Sequence, residues 1–164
     1  MFPVRIRLST EGMLSKRAWR RIAKAAHTKM GDYWQQRVLP RHFTKSARRR
    51  YGHKPRSKKW RERKMREAKK GNRGVEGGGE IDNVYTGNMR DLLMSGRLIR
   101  AYATRFSVEM FGPRYISMRP FQSNQPDKAA EITKTLPDEA AAMAKIGDAT
   151  AQVEIDRNKG RTRG

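Results

Sequence analysis

Apolar side chains in the first forty residues recur with two different periods. Val4, Ile6 and Leu8 alternate with Arg5 and Arg7, the period of two that predicts a half-buried strand. After a break at Ser9–Gly12 the spacing changes. Leu14, Ala18, Ile22, Ala26, Met30, Trp34 and Val38 recur every fourth residue, and Trp19, Ala25 and Tyr33 widen that stripe. Lys16, Arg17, Arg20, Arg21, Lys24 and Gln35 occupy the other side. The pattern predicts one long amphipathic helix from about Ser15, with a weak point at Gly31 and an end or kink at Pro40.

Beyond Pro40 the pattern thins. His42-Phe43-Thr44 and Ala47 suggest a short second helix before Tyr51-Gly52. Trp60 to Lys70 is rich in helix formers but holds only Trp60, Met65 and Ala68 as apolar residues, so it reads as a mobile or conditionally helical arm. GNRGVEGGG, residues 71–79, reads as a glycine-rich hinge. Met89, Leu92, Leu93 and Met94 predict a short helix closed at Ser95-Gly96. Alternation over residues 98–104 and again over 106–111 predicts paired strands, with Tyr115–Met118 a third candidate. Helical sequence returns at Asp127, and a last helix should open at Pro137-Asp138-Glu139, where proline and acids suit a first turn. Gly147 should interrupt it, and residues 156–164 read as a disordered tail.

The expected class is α+β. A long N-terminal amphipathic helix and C-terminal helices pack on a small antiparallel sheet, with a long basic arm attached. Residues 1–40 supply the first strand and helix of one domain and 41–80 the arm and hinge. Residues 81–155 supply the sheet and helices of the same domain.

Charge changes this picture more than any motif. The chain of 164 residues has a formal net charge of +22. Residues 1–80 hold +19 of it and residues 81–164 only +3. Arg41–Lys70 alone contains fifteen Lys or Arg against Glu62 and Glu67, a formal +13. Burying an unpaired charge costs several kcal/mol, so such a stretch is expected in water or against a polyanion. The candidate contacts are Arg41, Lys45, Arg48, Arg49, Arg50, Lys54, Arg56, Lys58, Lys59, Arg61, Arg63, Lys64, Arg66, Lys69 and Lys70, with Tyr51 and Trp60 as stacking or anchoring aromatics. Nothing in the run suggests base readout, so any contact with DNA should be independent of sequence. A docking site for an acidic protein is the other reading of the same charges.

Catalytic chemistry finds no foothold. There is no cysteine, which excludes disulfides, thiolate metal ligands and thiol nucleophiles. His27, His42 and His53 lie in basic sequence without acids at ligand spacing. Gly77-Gly78-Gly79 lacks the Gly-Lys-Ser/Thr of a phosphate loop. The expectation is no enzymatic role, no metal and no cofactor. No apolar run nears the roughly 18 residues of a membrane span, and MFPVRIRLS does not resemble an export signal.

Several blocks in order carry a resemblance: VLPRHF, YGHKPRSKKW, a glycine-rich gap, VYTGNMRDLLMSG, paired strands and GPRYISMRP. Together, over roughly residues 30–120, they resemble the head–tail connector proteins of tailed bacteriophages, in particular tail-completion or neck proteins. The resemblance implies an α+β subunit of a homo-oligomeric ring, a hexamer or dodecamer, in the virion. It would be assembled in the host cytoplasm among portal, neck or tail proteins, with no enzymatic activity. The middle of this chain is more basic than the family pattern leads one to expect. Read from composition alone, the alternative is a basic nucleic-acid-binding structural protein of a ribonucleoprotein particle. An apolar fraction of 36% implies a small core that neighbouring subunits could complete.

Overall fold

A computed structural model describes residues 14–70, 88–95, 97–110 and 126–161. The predicted strand at Val4–Leu8, the glycine-rich segment, Tyr85-Thr86-Gly87 and Tyr115–Met118 lie outside those residues. The class is α+β: among the described residues helices dominate, and two strands form one antiparallel pair. The chain divides into two compact units, each described by itself.

The first unit draws on the described parts of Met1–Trp34, Leu98–Glu109 and Pro137–Gly164. Helix α1 spans Lys16–Tyr33. Ser15 caps it in extended conformation, its hydroxyl accepting from the Ala18 N–H at 3.2 Å. The four-residue stripe is the buried one: Ala18, Ile22, Ala26 and Met30 face inward. They meet α6, Pro137–Arg161, which opens at the predicted proline. Ile22, Ala26 and Ala151 form the centre of this contact, with Leu14, Trp19 and Ile155 packed around it.

Gly147 does not interrupt α6, which runs unbroken to Arg161 and takes in most of the expected tail. Its absent side chain serves close approach instead. A Cβ there would sit 2.8 Å from Met30 Sδ. Gly31 in α1 plays a similar part against the hairpin, since its Cβ would lie 3.0 Å from Ile99 Cγ2.

The hairpin pairs β1, Arg97–Ala101, with β2, Phe106–Met110, as the alternation predicted. Tyr102 N–H donates to Arg105 C=O at 2.8 Å across the turn. Arg100 and Glu109 face each other across the strands at 3.1 Å. His27, buried on α1, holds the turn by donating from Nδ1 to Tyr102 C=O at 2.6 Å, beside the Phe106 ring. That bond gives His27 a structural role.

The second unit draws on the described parts of Gln35–Arg97 and Met110–Leu136. The chain leaves α1 through one π-helical turn, Trp34–Val38, and a 3₁₀ turn, Leu39–Phe43, that contains Pro40. Proline lacks an N–H and clashes with a preceding α turn, so the expected end at Pro40 is reached by a change of helix type. Then come α2, Ala47–Tyr51; α3, Lys58–Lys69; α4, Asn88–Ser95; and α5, Lys128–Thr133. Val38, Leu39, Phe43, Ala47, Tyr51, Met89, Leu93 and Ile132 are its buried apolar residues among those described. The Gln35 side-chain amide donates to Met94 C=O at 3.2 Å.

Candidate functional site

Arg41–Lys70 is where charge concentrates, and it is folded into the second unit. At its start the 3₁₀ turn buries His42 and Phe43, and α2 buries Ala47 and Tyr51. Gly52 ends α2 with φ at +67°, the left-handed cap that glycine adopts without penalty. Its N–H and that of His53 both turn back to Arg48 C=O. This reversal lays His53 beside the residues before it. Three rings stack: His42 on Tyr51 with centres 3.8 Å apart, and His53 at 5.6 Å from each.

One acid holds this arrangement. Glu131 lies on α5, whose start is capped by Asp127 accepting from Ala130 N–H at 3.0 Å. Its carboxylate takes the Arg56 guanidinium on Oε2 at 2.7 Å and the Lys54 backbone N–H on Oε1 at 2.9 Å. Its own C=O lies 3.2 Å from His53 Nε2. A carbonyl can only accept, so His53 carries its proton on Nε2. His42 Nδ1, 3.5 Å from that nitrogen, faces it as an acceptor. Three residues along, Lys134 Nζ donates to Tyr51 C=O at 2.6 Å.

Arg56 and Glu131 side chains are 6% and 10% exposed, so water screens neither. Pairing is what makes burial tolerable for either. The same enclosure acts on Lys128, one turn before Glu131. Desolvation, and then the nearby Arg56 charge, push its pKa below the ordinary lysine value, while Glu131 pulls it back up.

The candidate contact residues therefore fall into two groups. Lys45, Arg48, Arg49, Arg50, Lys54, Lys58, Lys59, Arg61, Arg63, Arg66, Lys69 and Lys70 are exposed, and Arg41 is half-buried. Arg56 and Lys64 are buried and cannot meet an external polyanion. Lys64 lies inside, its ammonium 5.5 Å from the Trp60 ring centre. Tyr51 is 1% exposed, which removes it as a stacking platform: its ring faces His42. Trp60 is half-buried. The expectation that the whole stretch is solvated fails at these residues because an acid and aromatic faces supply partners that local composition does not reveal.

Sequence reasoning missed Glu131, His42 and His53 as organisers. Gly52 directly after an aromatic residue was the available signal for a helix cap. Glu131 gave none. The enclosed rings offer no route for a substrate: His42 and Tyr51 are 0% and 1% exposed. No group of three metal-ligating side chains occurs among the described residues, and no described helix is long and apolar enough to cross a membrane. No protein-family model, curated protein or solved structure matches the chain.

Proposed function

We propose that this chain is a structural protein of a tailed-phage particle, a subunit of a neck ring that joins or seals head and tail as connector, tail-completion or tail-terminator protein. One observation carries the reading. Three of the blocks that resemble the neck family, as far as the described residues reach, help to build the second unit, while the paired strands belong to the first. VLPRHF closes the π turn, forms the 3₁₀ turn and buries Val38, Leu39, His42 and Phe43. YGHKPRSKKW supplies Tyr51, the Gly52 cap, His53 and Arg56. NMRDLLMS is α4. Part of the resemblance thus falls on residues that shape this unit.

The surface is compatible with assembly. Met65, Leu92, Met94, Tyr102 and Val153 are each between 40% and 52% exposed. Such side chains bury readily in subunit contacts. In this proposal the basic stretch, expected from sequence as an arm, is the charged face each subunit presents to DNA or to a neighbouring tier. Its effect would be multiplied by the copy number of the ring.

Light scattering after size-exclusion chromatography, with negative-stain images of the peak, tests the reading. Rings of six or twelve copies are expected, and the chain should be found in purified particles. A chain that stays monomeric in every condition and is absent from particles would overturn it.

A further inference from the structure

Helix α3 is built as a cationic ridge. Its inward strip is Trp60, Lys64 and Glu67, at spacings of four and three residues, and these alone of its described side chains are buried or half-buried. Ser57 starts the helix, its hydroxyl accepting from Trp60 N–H at 3.2 Å and its C=O from Arg61 N–H at 3.1 Å. At 100° per residue, the exposed positions sweep an arc of about 200°. Glu62 is the one acid on that arc, and it pairs with Lys58 at 3.8 Å. Lys59, Arg61, Arg63, Arg66, Lys69 and Lys70 pair with no acid among the described residues. The twelve residues of α3 measure about 18 Å, and with Lys70 just past its end the six charges are spread over that length and around the arc. A nucleic-acid duplex carries one phosphate of each strand per roughly 3.4 Å of its axis, so a length of about 18 Å spans about five phosphates on each wall of a groove.

We infer that α3 binds the phosphate backbone of duplex DNA, without sequence preference, through this ridge. The charges are spread around the exposed arc, so one helix inserted in a groove can face the phosphates of both walls. Single strands are bound through exposed aromatic platforms. Here Tyr51 is buried and Trp60 is half-buried beside Lys64. A protein partner would be gripped by desolvated aromatic or aliphatic anchors. Met65 is the sole apolar side chain among the described exposed residues of α3. The inference holds for a single subunit and is independent of ring formation.

The test is binding of the full chain to a 30-base-pair duplex, to one of its strands, and to polyglutamate, followed by anisotropy across a salt series. Six neutralised phosphates give a log–log salt slope of about −5. The triple variant K59Q/R63Q/R66Q should flatten the slope by about 2.7 and weaken duplex binding by roughly two to three orders of magnitude at 0.1 M salt. K59R/R63K/R66K should bind as the parent does. Replacing Lys145, Arg157 and Lys159 of α6 by Gln should leave the slope within one unit of the parent. Equal losses from the α6 variant would overturn the inference, as would a loss carried by Arg17, Arg20 and Lys24 of α1 with α3 silent. So would polyglutamate or the single strand binding as tightly as the duplex. Circular dichroism of each variant shows that the helices persist.

Discussion

The α1–α6 pair and the Glu131 cluster bury their side chains by opposite means. In the first, Ile22, Ala26 and Ala151 meet directly, and Gly147 lets Met30 come closer than any side chain would allow. Stability there is a matter of volume. In the second, Arg56, Glu131, His42, His53 and Tyr51 are buried together, and the Glu131 carboxylate and C=O hold Arg56 and His53 by specific contacts. Stability there is a matter of pairing. A packed apolar contact degrades gradually when trimmed, whereas a buried charge that loses its partner costs several kcal/mol at once.

The largest break should therefore come from Glu131→Ala. It removes the carboxylate that takes the Arg56 guanidinium and the Lys54 N–H. The expected loss is about 3–5 kcal/mol, a large share of a typical total of 5–15 kcal/mol. Hydrogen exchange would localise it. Amides of α2 and α5 should lose protection, while those of α1 and α6 keep theirs. A double variant, E131L/R56M, sharpens the point. Apolar side chains of similar volume can replace a buried ion pair at little cost, so it should recover most of the loss. About 1–3 kcal/mol should remain, because the Lys54 N–H still lacks its acceptor. If the double variant is no better than the single one, charge pairing is not what holds this unit.

In the helix pair the corresponding break is Gly147→Ala. Alanine favours a helix by about 1 kcal/mol over glycine, and on an exposed site it would stabilise. Here the new methyl meets Met30 Sδ at 2.8 Å and Cγ at 3.3 Å in a buried position. Overpacking of this kind costs about 1–3 kcal/mol, so a net destabilisation of up to about 2 kcal/mol is expected in denaturant unfolding. Adding Met30→Ala should make the double variant better than the sum of the two single changes, by about 0.5–3 kcal/mol of coupling. Strict additivity would show that the contact carries no energy.

The same contrast explains what could be read from the chain alone. α1 was legible because Ala18, Ile22, Ala26 and Met30 obey a helical period, and the hairpin because residues 98–110 alternate. Pro137 with Asp138 and Glu139 announced α6. These elements bury apolar side chains, and apolar periodicity is a local signal. Arg56 and Glu131 are 75 residues apart, and nothing near either marks it as half of a pair. Dense charge around Tyr51, His42 and His53 made the stretch read as wholly solvated. Gly147 read as a helix break because a glycine used for close approach has the same letter as one used for a turn. The change to a π turn at Trp34 had no signal beyond Pro40.

The smallest effect tests how finely the polar unit is balanced. Lys128 lies near both Arg56 and Glu131, and desolvation together with Arg56 outweighs the attraction of Glu131. Its folded-state pKa is thus below the ordinary 10.5. The sign follows: the unfolded chain holds the proton more readily, so this lysine lowers stability at neutral pH, and that cost fades as pH rises toward the ordinary lysine range. Lys128→Gln removes the charge and keeps a polar head. A small rise in Tm at pH 7 is expected, with a flatter dependence of Tm on pH between 8 and 10 than in the parent. A fall in Tm would mean that Lys128 serves Glu131 as a second cation, and the cluster would then have to be described as an acid shared between two bases rather than a single buried pair.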